Sequence, residues 1–310
     1  MNLIDFHCDT VSKIYNDNTE LFENKYSVDI NKLKKGNCAA QFFALFIELD
    51  KVKNPLQYTL KMLDKFYIEL EKNIDYIALA RNYDELIKNK SDNKISAFLT
   101  IEEGAALKGD LSNLRNFHRL GIKLITLTWN FPNEIGYPNC NSKYMNKGLT
   151  PFGYELIEEM NNLNMIIDVS HLSDGGFFDV CRLSKTPFIA SHSNARTITN
   201  HPRNLSDEMI KLLAKKGGVM GLNFYGNFLG GNDFSKIEDM IRHIKHIKNI
   251  GGIDVISLGT DFDGIDSNLE IKNTGEINKL ISALQKNNFS ESEIEKIFYK
   301  NALRFLKEIN

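Results

Sequence analysis

Polar side chains of the kinds that bind metal ions lie at the ends of several short apolar runs in this chain. Side chains at positions i and i+2 of a β-strand point to the same face, so His7 and Asp9 can reach a common ion. A neutral imidazole and a carboxylate are both good ligands for first-row divalent metals. A His-x-Asp pair is common by chance, but the joint pattern with the other run ends predicts a metal site. Those other candidates are Glu103, which follows Glu102 at the end of the third run, His171, His192 and Asp261.

The acidic residues favour two ions over one. Asp9, Glu103 and Asp261 would bring about three negative charges into one pocket, which is very unfavourable without compensation. Two divalent cations would overcompensate by about one charge, and a hydroxide that bridges them would neutralise the remainder. Such a site produces a strong nucleophile at neutral pH and polarises a scissile carbonyl. The chemistry indicated is metal-assisted hydrolysis.

A single histidine near a strand end is more often a hydrogen-bonded core group than a ligand. The three candidate histidines differ, because each ends an apolar strand beside small or polar residues. The remaining histidines fall in predicted helices or a loop, and we interpret them as structural: His118, His201, His243 and His246.

Short, β-rich apolar runs recur along the chain with helical stretches between them. Each run is nearly continuous in hydrophobicity, which is typical of parallel strands covered on both faces. Such an alternation over 310 residues predicts a (β/α)₈ barrel, whose strand C-termini converge on the face that carries the active site. An open doubly wound sheet is the competing fold, but no GxGxxG follows the first run. The predicted strands are Leu3–Cys8, Ala39–Ile47, Ile95–Ile101, Ile122–Thr128, Met165–Ser170, Pro187–Ser191, Val219–Phe224 and Ile256–Thr260.

Helical periodicity and loop composition complete the organisation. Thr150 and Pro151 have the residue types of an N-cap and a first helical residue. Two long connections show neither helical nor strand periodicity, and such connections are usually lids or binding loops. No linker or shift in composition divides the chain, so one barrel domain over residues 1–310 is expected. The predicted helices include Phe152–Leu163, Leu205–Lys216 and Ile237–Ile250, and the two connections are Asn130–Gly148 and Tyr225–Phe234.

Charge and cysteine content exclude several partner classes. The formal net charge is −2 with no basic block, which argues against a nucleic-acid partner. No secretory signal, membrane-spanning run or lipid-anchor tail is visible, so no membrane anchor is expected. The four cysteines show no CxxC spacing and are expected to be free thiols in a reducing compartment. These features predict a cytoplasmic protein. Its assembly is left open, with a homodimer as one option.

Several motifs occur together in a fixed order. DFHCDT, IEEG, DVSHLS, SHSNAR, HPRN, NFY and GTDFDGI follow one another between residues 5 and 265. This set resembles the membrane (renal) dipeptidase family of zinc metallopeptidases. No single motif is specific, but the set is. The resemblance implies a TIM-type barrel with two zinc ions that hydrolyses the peptide bond of dipeptides, with L,D-dipeptides among the candidate substrates.

The resemblance also implies a role for each site residue. His7 and Asp9 match ligands of one zinc, and His171 and His192 match ligands of the second. Three residues match groups that act on substrate or protons. Arg203 matches an arginine that binds the substrate carboxylate, Tyr225 a substrate-side tyrosine, and Asp261 an aspartate beside the metal-bound water that carries a proton. Glu103, directly before Gly104, matches the carboxylate that bridges the two metals.

One position departs from the family pattern. The well-known dipeptidases carry a histidine, assigned to stabilising the tetrahedral intermediate, where this chain has Trp129. An indole has one N–H donor and cannot carry a positive charge. We therefore expect Trp129 to act on the substrate side as an apolar surface, with packing under the following loop as the alternative.

Two other functions stay open. One is another metal-dependent amidohydrolase, such as a lactonase or a deaminase. Many such barrels use His-x-His on the first strand and a carboxylated lysine as the bridge, whereas this chain offers His7, Asp9 and Glu103. The other is a metal-binding protein with weak catalysis, and only Trp129 favours it.

Overall fold

Parallel strands form a closed barrel in the computed structural model, which describes residues 1–309. The strand order β2-β1-β10-β8-β7-β6-β5-β4-β3, together with a β2–β4 pairing, closes a ring of eight strands and leaves β3 outside it. Strand β3 pairs only with the first half of β4, whose second half pairs with β5. The strands are β1 Leu3–Cys8, β2 Cys38–Phe46, β3 Ile77–Leu79, β4 Ile95–Glu102, β5 Ile122–Thr126, β6 Ile166–Asp168, β7 Ile189–Ala190, β8 Val219–Leu222, β9 Phe234–Ser235, β10 Ile256–Leu258 and β11 Asn268–Leu269.

The predicted barrel is confirmed, and each predicted strand has its counterpart in the ring. The strands that the sequence did not predict are β3, β9 and β11, which have three, two and two residues. Segments this short carry no measurable alternation of apolar and polar residues. Strands β9 and β11 pair with each other in a separate ribbon.

Helices surround the barrel. Thr150 caps its helix as predicted, since the hydroxyl accepts a hydrogen bond from the backbone N–H of Gly153 at 3.1 Å, and Pro151 is the first helical residue. The helices are α1 Thr10–Asn16, α2 Ile30–Lys35, α3 Pro55–Lys72, α4 Tyr83–Ser91, α5 Leu111–Arg119, α6 Pro151–Asn162, α7 Asp174–Leu183, α8 Asp207–Lys215, α9 Gly226–Leu229, α10 Ile237–Gly251, α11 Asn278–Lys286, α12 Glu291–Glu295 and α13 Asn301–Glu308.

The N-terminal end of the barrel is closed by the barrel floor, an apolar cluster to which strands and α13 both contribute. Phe42 and Phe98 stack with ring centroids 4.5 Å apart. Phe6 on β1 meets Phe305 on α13 edge-to-face at 5.9 Å. Burying these rings away from water stabilises the fold at this end. The polar strand ends therefore gather at the opposite, C-terminal end.

No helix among residues 1–309 is both long enough and apolar enough to cross a membrane. The four cysteines are free thiols, and Cys140 alone of them is exposed.

Candidate active site

Glu102, the last residue of β4, is the centre of the cluster at the C-terminal end of the barrel. Its Oε2 atom lies 3.2 Å from Nε2 of His7. Its Oε1 atom lies 3.1 Å from Nε2 of His171 and 3.5 Å from Nε2 of His192. The two oxygens of one buried carboxylate thus face two different groups of imidazoles.

His7 also belongs to a second group of ligand atoms. The Nε2 atom of His7 lies 3.3 Å from Oδ2 of Asp9 and 3.8 Å from Oδ1 of Asp261. The ligand atoms of His7, Glu102 and His192, and likewise those of His7, Asp9 and Asp261, lie within 4.8 Å of one another. The structure therefore brings together every predicted ligand except Glu103.

The prediction that Glu103 lies in this cluster is wrong. Glu103 follows the end of β4, where the backbone turns to φ 93° and directs its side chain away from the imidazoles. The carboxylate instead accepts hydrogen bonds from the backbone N–H of Ala105 at 2.9 Å and of Trp129 at 3.0 Å. Glu102 shares its face of β4 with Phe98 in the barrel interior, because the two are four residues apart along a strand.

The cluster has the polar atoms that a metal would satisfy. His7 Nε2 and Asp9 Oδ1 are buried without a hydrogen-bond partner among residues 1–309, because the close contacts of His7 lack hydrogen-bond geometry. Buried polar groups in folded proteins nearly always have a partner. Imidazole and carboxylate groups in this arrangement are the donor set of divalent first-row metals. The residues therefore fit a metal centre.

Burial and the neighbouring charges together shift the pKa values of the cluster. Burial raises the pKa of Glu102, and it raises that of Asp261 to about 7. Burial also lowers the pKa values of His171 and His192 well below the ordinary value, so both rings are neutral and available as ligands. Burial works in the same direction on His7, but the carboxylates of Glu102 and Asp9 outweigh it and raise the His7 pKa well above the ordinary value.

Two hydrogen bonds that sequence patterns did not reveal orient the imidazoles. The Nδ1 atom of His192 lies 2.7 Å from the Ser191 hydroxyl, which donates to Asp168 at 2.6 Å. The Nδ1 atom of His171 lies 3.2 Å from Oδ1 of Asn130. In both rings Nδ1 is engaged, so Nε2 faces Glu102. Residue type offered no signal for either partner, because serine and asparagine are common at strand ends and in loops.

Backbone strain accompanies the site. His171 has φ 69° and Asp261 has φ 61°, a left-handed conformation that non-glycine residues rarely adopt. Asp261 is held by the Nδ2 group of Asn223, which donates to its Oδ2 at 2.8 Å. Strained residues of this kind cluster at functional sites, where the surrounding structure fixes them.

A cavity of about 520 Å³ opens onto the cluster and contains the predicted substrate-side residues in its lining. Arg203 is only 3% exposed, yet its Nε and Nη1 groups have no partner among the described residues. Its guanidinium carbon lies 5.3 Å from the ring centroid of Phe228, which also packs edge-to-face against Tyr225 at 4.7 Å. A buried guanidinium with free donors suits a carboxylate ligand.

Trp129 is half-buried and lines this cavity. Its ring centroid is 4.9 Å from that of Phe46, and the two residues form what we name the aromatic wall. The ring of His171 lies 6.1 Å from the indole. Trp129 thus faces the cavity beside a candidate ligand, and packing against Phe46 does not remove it from the site.

The histidines interpreted as structural lie outside the cluster. His243 is buried, accepts a hydrogen bond from the backbone N–H of Ala195 at 3.1 Å, and places its other ring nitrogen 2.9 Å from the Leu229 carbonyl. His246 pairs with Asp207 at 2.7 Å. Their hydrogen-bond partners are backbone and helix-surface groups.

Comparison with known proteins agrees with this geometry. The family model described as membrane dipeptidase (peptidase family M19) matches residues 1–310. The chain belongs to the membrane dipeptidase family. An uncharacterized dipeptidase of Schizosaccharomyces pombe is 31% identical over 311 residues, covering 93% of this chain and 74% of the relative. Dipeptidase tcpJ of Claviceps purpurea is 28% identical over 295 residues, covering 91% and 69%.

Two solved structures of metallo peptidases are also similar. One, from Rhodobacter sphaeroides and liganded with a phosphinate mimic of the dipeptide L-Ala-D-Ala, has a TM-score of 0.94 at 25% identity and covers 100% of this chain and 99% of its own. The other, dipeptidase AC of family M19, has a TM-score of 0.92 at 27% identity, with coverage of 99% and 98%. As a membrane dipeptidase family member, the chain is a metal-dependent dipeptidase. The lactonase, deaminase and weak-catalysis alternatives are not favoured.

Proposed function

We propose that this dipeptidase binds two zinc ions, with Glu102 as the carboxylate that bridges them. The observation that carries the proposal is the division of the Glu102 oxygens, one toward His7 and the other toward His171 and His192. Asp9 completes the set around His7, at 3.3 Å. Zinc is favoured because histidine and carboxylate are its usual ligands in hydrolases. Bound zinc ions would activate a water molecule and polarise the scissile carbonyl.

Asp261 is proposed to carry the proton between the attacking water and the leaving amine. Its carboxylate borders both the cavity and the His7 group. A carboxylate beside the metal group and open to the cavity can take a proton from the attacking water and deliver it to the leaving amine. Asn223 holds one carboxylate oxygen, which leaves Oδ1 directed toward His7.

Arg203 is proposed to bind the free carboxylate of the dipeptide. The support is its burial and its unpartnered Nε and Nη1 groups beside the cluster. A guanidinium fork matches a carboxylate with two parallel hydrogen bonds, which fixes the substrate relative to the catalytic groups. Tyr225 and the aromatic wall would enclose the substrate side chains.

L,D-dipeptides are the substrate class we favour. The related structure from Rhodobacter sphaeroides contains a mimic of L-Ala-D-Ala and matches this chain over its whole length. The cavity of about 520 Å³ is large enough for a dipeptide with larger side chains than alanine.

A hydrolysis screen tests the function. Zinc-reconstituted protein should cleave L,D- and L,L-dipeptides, and a chelator should abolish the cleavage until zinc is restored. An N-acetylated, C-amidated dipeptide is the matched control and should stay intact. Undiminished cleavage after complete metal removal, or no cleavage of any dipeptide by fully loaded protein, would contradict the proposal.

A further inference from the structure

Glu103 is completely buried and lies outside the proposed metal site. Its backbone has φ 93° and ψ 96°, a conformation that is costly for a residue with a side chain. A buried carboxylate is also costly unless its oxygens accept hydrogen bonds. Both costs persist in a folded protein only where the surrounding structure imposes the arrangement, so the contacts of Glu103 must hold it in place.

The partners of Glu103 lie mainly in one loop. Its Oε2 atom accepts the backbone N–H of Trp129 at 3.0 Å. Its Oε1 atom accepts the backbone N–H of Ala105 at 2.9 Å and the side-chain amide of Asn133. The carboxylate therefore joins the end of β4 to two points of the segment that follows β5.

Asn133 organises that segment, which we name the 127–136 loop. Its Oδ1 atom accepts the backbone N–H groups of Ile135 at 2.8 Å and Gly136 at 3.1 Å. Its amide also donates to the Leu127 carbonyl at 2.8 Å. The loop packs tightly on the β4 end, since a Cβ atom added to Gly104 would lie 2.7 Å from that same carbonyl.

The residues that Glu103 holds lie on either side of Asn130, which contacts the site directly. Asn130 Oδ1 is 3.2 Å from Nδ1 of His171. Trp129 contributes half of the aromatic wall, 4.9 Å from Phe46. Any displacement of the loop would move the wall and the partner of His171 together.

We propose that Glu103 is a positioning residue that fixes the 127–136 loop, and through it the aromatic wall and the orientation of His171. The inference rests on the proposed function only for its effect on turnover. Glu102 and Glu103 thus have separate tasks: the first binds metal, and the second holds the substrate-side loop in place.

The single tryptophan of the chain makes the loop directly observable. Glu103→Gln replaces one acceptor oxygen with an amide donor that faces N–H groups, so the loop should loosen. Trp129 emission should shift to longer wavelength and be quenched more strongly by acrylamide. These two readouts need neither substrate nor metal. Glu134→Gln is the matched control in the same loop, because Glu134 is exposed, and it should leave both signals unchanged.

Steady-state kinetics are the second test of the proposal. For Glu103→Gln, the preference for dipeptides with a large apolar side chain over glycine-containing ones should fall about tenfold, the scale on which a pocket distinguishes apolar groups. In excess zinc, the metal content should stay at the wild-type value, although the zinc affinity should fall because the Asn130 contact to His171 is loosened. A merely structural role would reduce the amount of folded enzyme without changing this preference.

A second variant covers the case in which Glu103→Gln does not fold. Asn133→Asp keeps Glu103 but places another carboxylate against it, and should reproduce the fluorescence and selectivity changes. Unchanged Trp129 emission and selectivity in both variants would overturn the proposal. If the wild-type protein cleaves no dipeptide, the proposed function fails while the fluorescence arm still decides the role of Glu103.

Discussion

The Nδ1 atom of His192 lies 2.7 Å from the hydroxyl of Ser191, and that hydroxyl lies 2.6 Å from the carboxylate of Asp168. An ionised carboxylate only accepts, so the hydroxyl donates to Asp168 and accepts the Nδ1–H of His192. These two consecutive hydrogen bonds fix the tautomer of His192 in which Nδ1 is protonated and Nε2 has a free lone pair directed toward Glu102. Asp168 also accepts the backbone N–H groups of Ser170 and Ser191, both at 2.9 Å, which holds the carboxylate rigidly.

Ser191→Ala should therefore weaken metal binding while leaving the ligands intact. Loss of such a supporting hydrogen bond typically costs about 10–100-fold in metal affinity. Competition with a chromophoric chelator measures the change. Ser257→Ala is the matched control, because Ser257 is a buried serine of β10 whose hydroxyl has no partner among residues 1–309. Equal affinities for the two variants would show that the Ser191 hydroxyl does not support His192.

Glu102→Gln should remove activity and at least one metal equivalent. An amide replaces the carboxylate whose two oxygens face the two imidazole groups. Elemental analysis should approach two equivalents of zinc in the wild-type protein and fall to one or fewer in the variant. Full activity of wild-type protein with a single equivalent would contradict the two-metal site, and full zinc retention by the variant would contradict the bridging role.

Arg203→Ala should impair substrate use and spare the metals. Removing one partner of a buried charge pair costs about 2–4 kcal/mol, which here appears in kcat/KM. Dipeptides amidated at the C-terminus should be poor substrates of the wild-type enzyme for the same reason. Arg242→Ala, at an exposed arginine of α10, is the control and should have wild-type kinetics. Equal turnover of amidated and free dipeptides would remove the assigned role.

Trp129→His should raise kcat on small dipeptides, because it adds a donor that can carry positive charge beside His171. One such donor to a developing oxyanion typically contributes about 10²–10³ in kcat. Trp129→Ala should instead raise KM, because it removes half of the aromatic wall. Steady-state kinetics separate the two effects. If Trp129→His has unchanged kinetics and Trp129→Ala only melts at a lower temperature, the indole is packing.

Lys123→Met should stabilise the protein at pH 7. Lys123 is 6% exposed, and burial lowers its pKa from 10.5 to about 8. The folded state therefore binds the proton more weakly than the unfolded chain, so stability rises as pH increases from about 8 to about 10.5. Below that window the buried charge costs about 3 kcal/mol, of which about 1 kcal/mol is offset by the bond from Nζ to the Asn164 carbonyl.

The net gain for Lys123→Met is thus about 2 kcal/mol in the free energy of unfolding at pH 7, fading toward pH 10.5. Denaturant titrations at both pH values measure it. Lys61→Met, on the exposed face of α3, should show no such pH dependence. A gain that is equal at the two pH values would exclude desolvation of Lys123 as the cause.

The barrel and the approximate position of its site followed from hydrophobic runs and from the polar residues that end them. The choice between Glu102 and Glu103 did not. In the run ISAFLTIEEG, Ser96, Thr100 and Glu102 share one face of the strand, so alternation alone favoured Glu102 as the inward-facing acid. The family motif, in which the bridging acid directly precedes a glycine, favoured Glu103 instead. The left-handed turn at Glu103, which turns its side chain out of the strand pattern, has no sequence signature, because glycine, not glutamate, is the usual residue there.

Residues that hold others in place were the least predictable. Ser191 and Asn130 act through single hydrogen bonds whose geometry depends on how the strand ends and loops pack. Asn133 contacts a residue 30 positions earlier in the chain. Spacing along the sequence contains no information about such contacts until the barrel has closed.

The barrel floor brings together elements that are far apart in the sequence, since Phe6 of β1 packs on Phe305 of α13. A growing chain leaves the ribosome from its N-terminus, so β1 is synthesised long before its partner α13 exists. Contacts this distant in sequence also make folding slow. The nascent barrel would therefore have an exposed apolar end, lined by Phe6, Phe42 and Phe98, until α13 has been synthesised. That interval is when molecular chaperones would have most to bind, and it ends when α13 packs onto the strands.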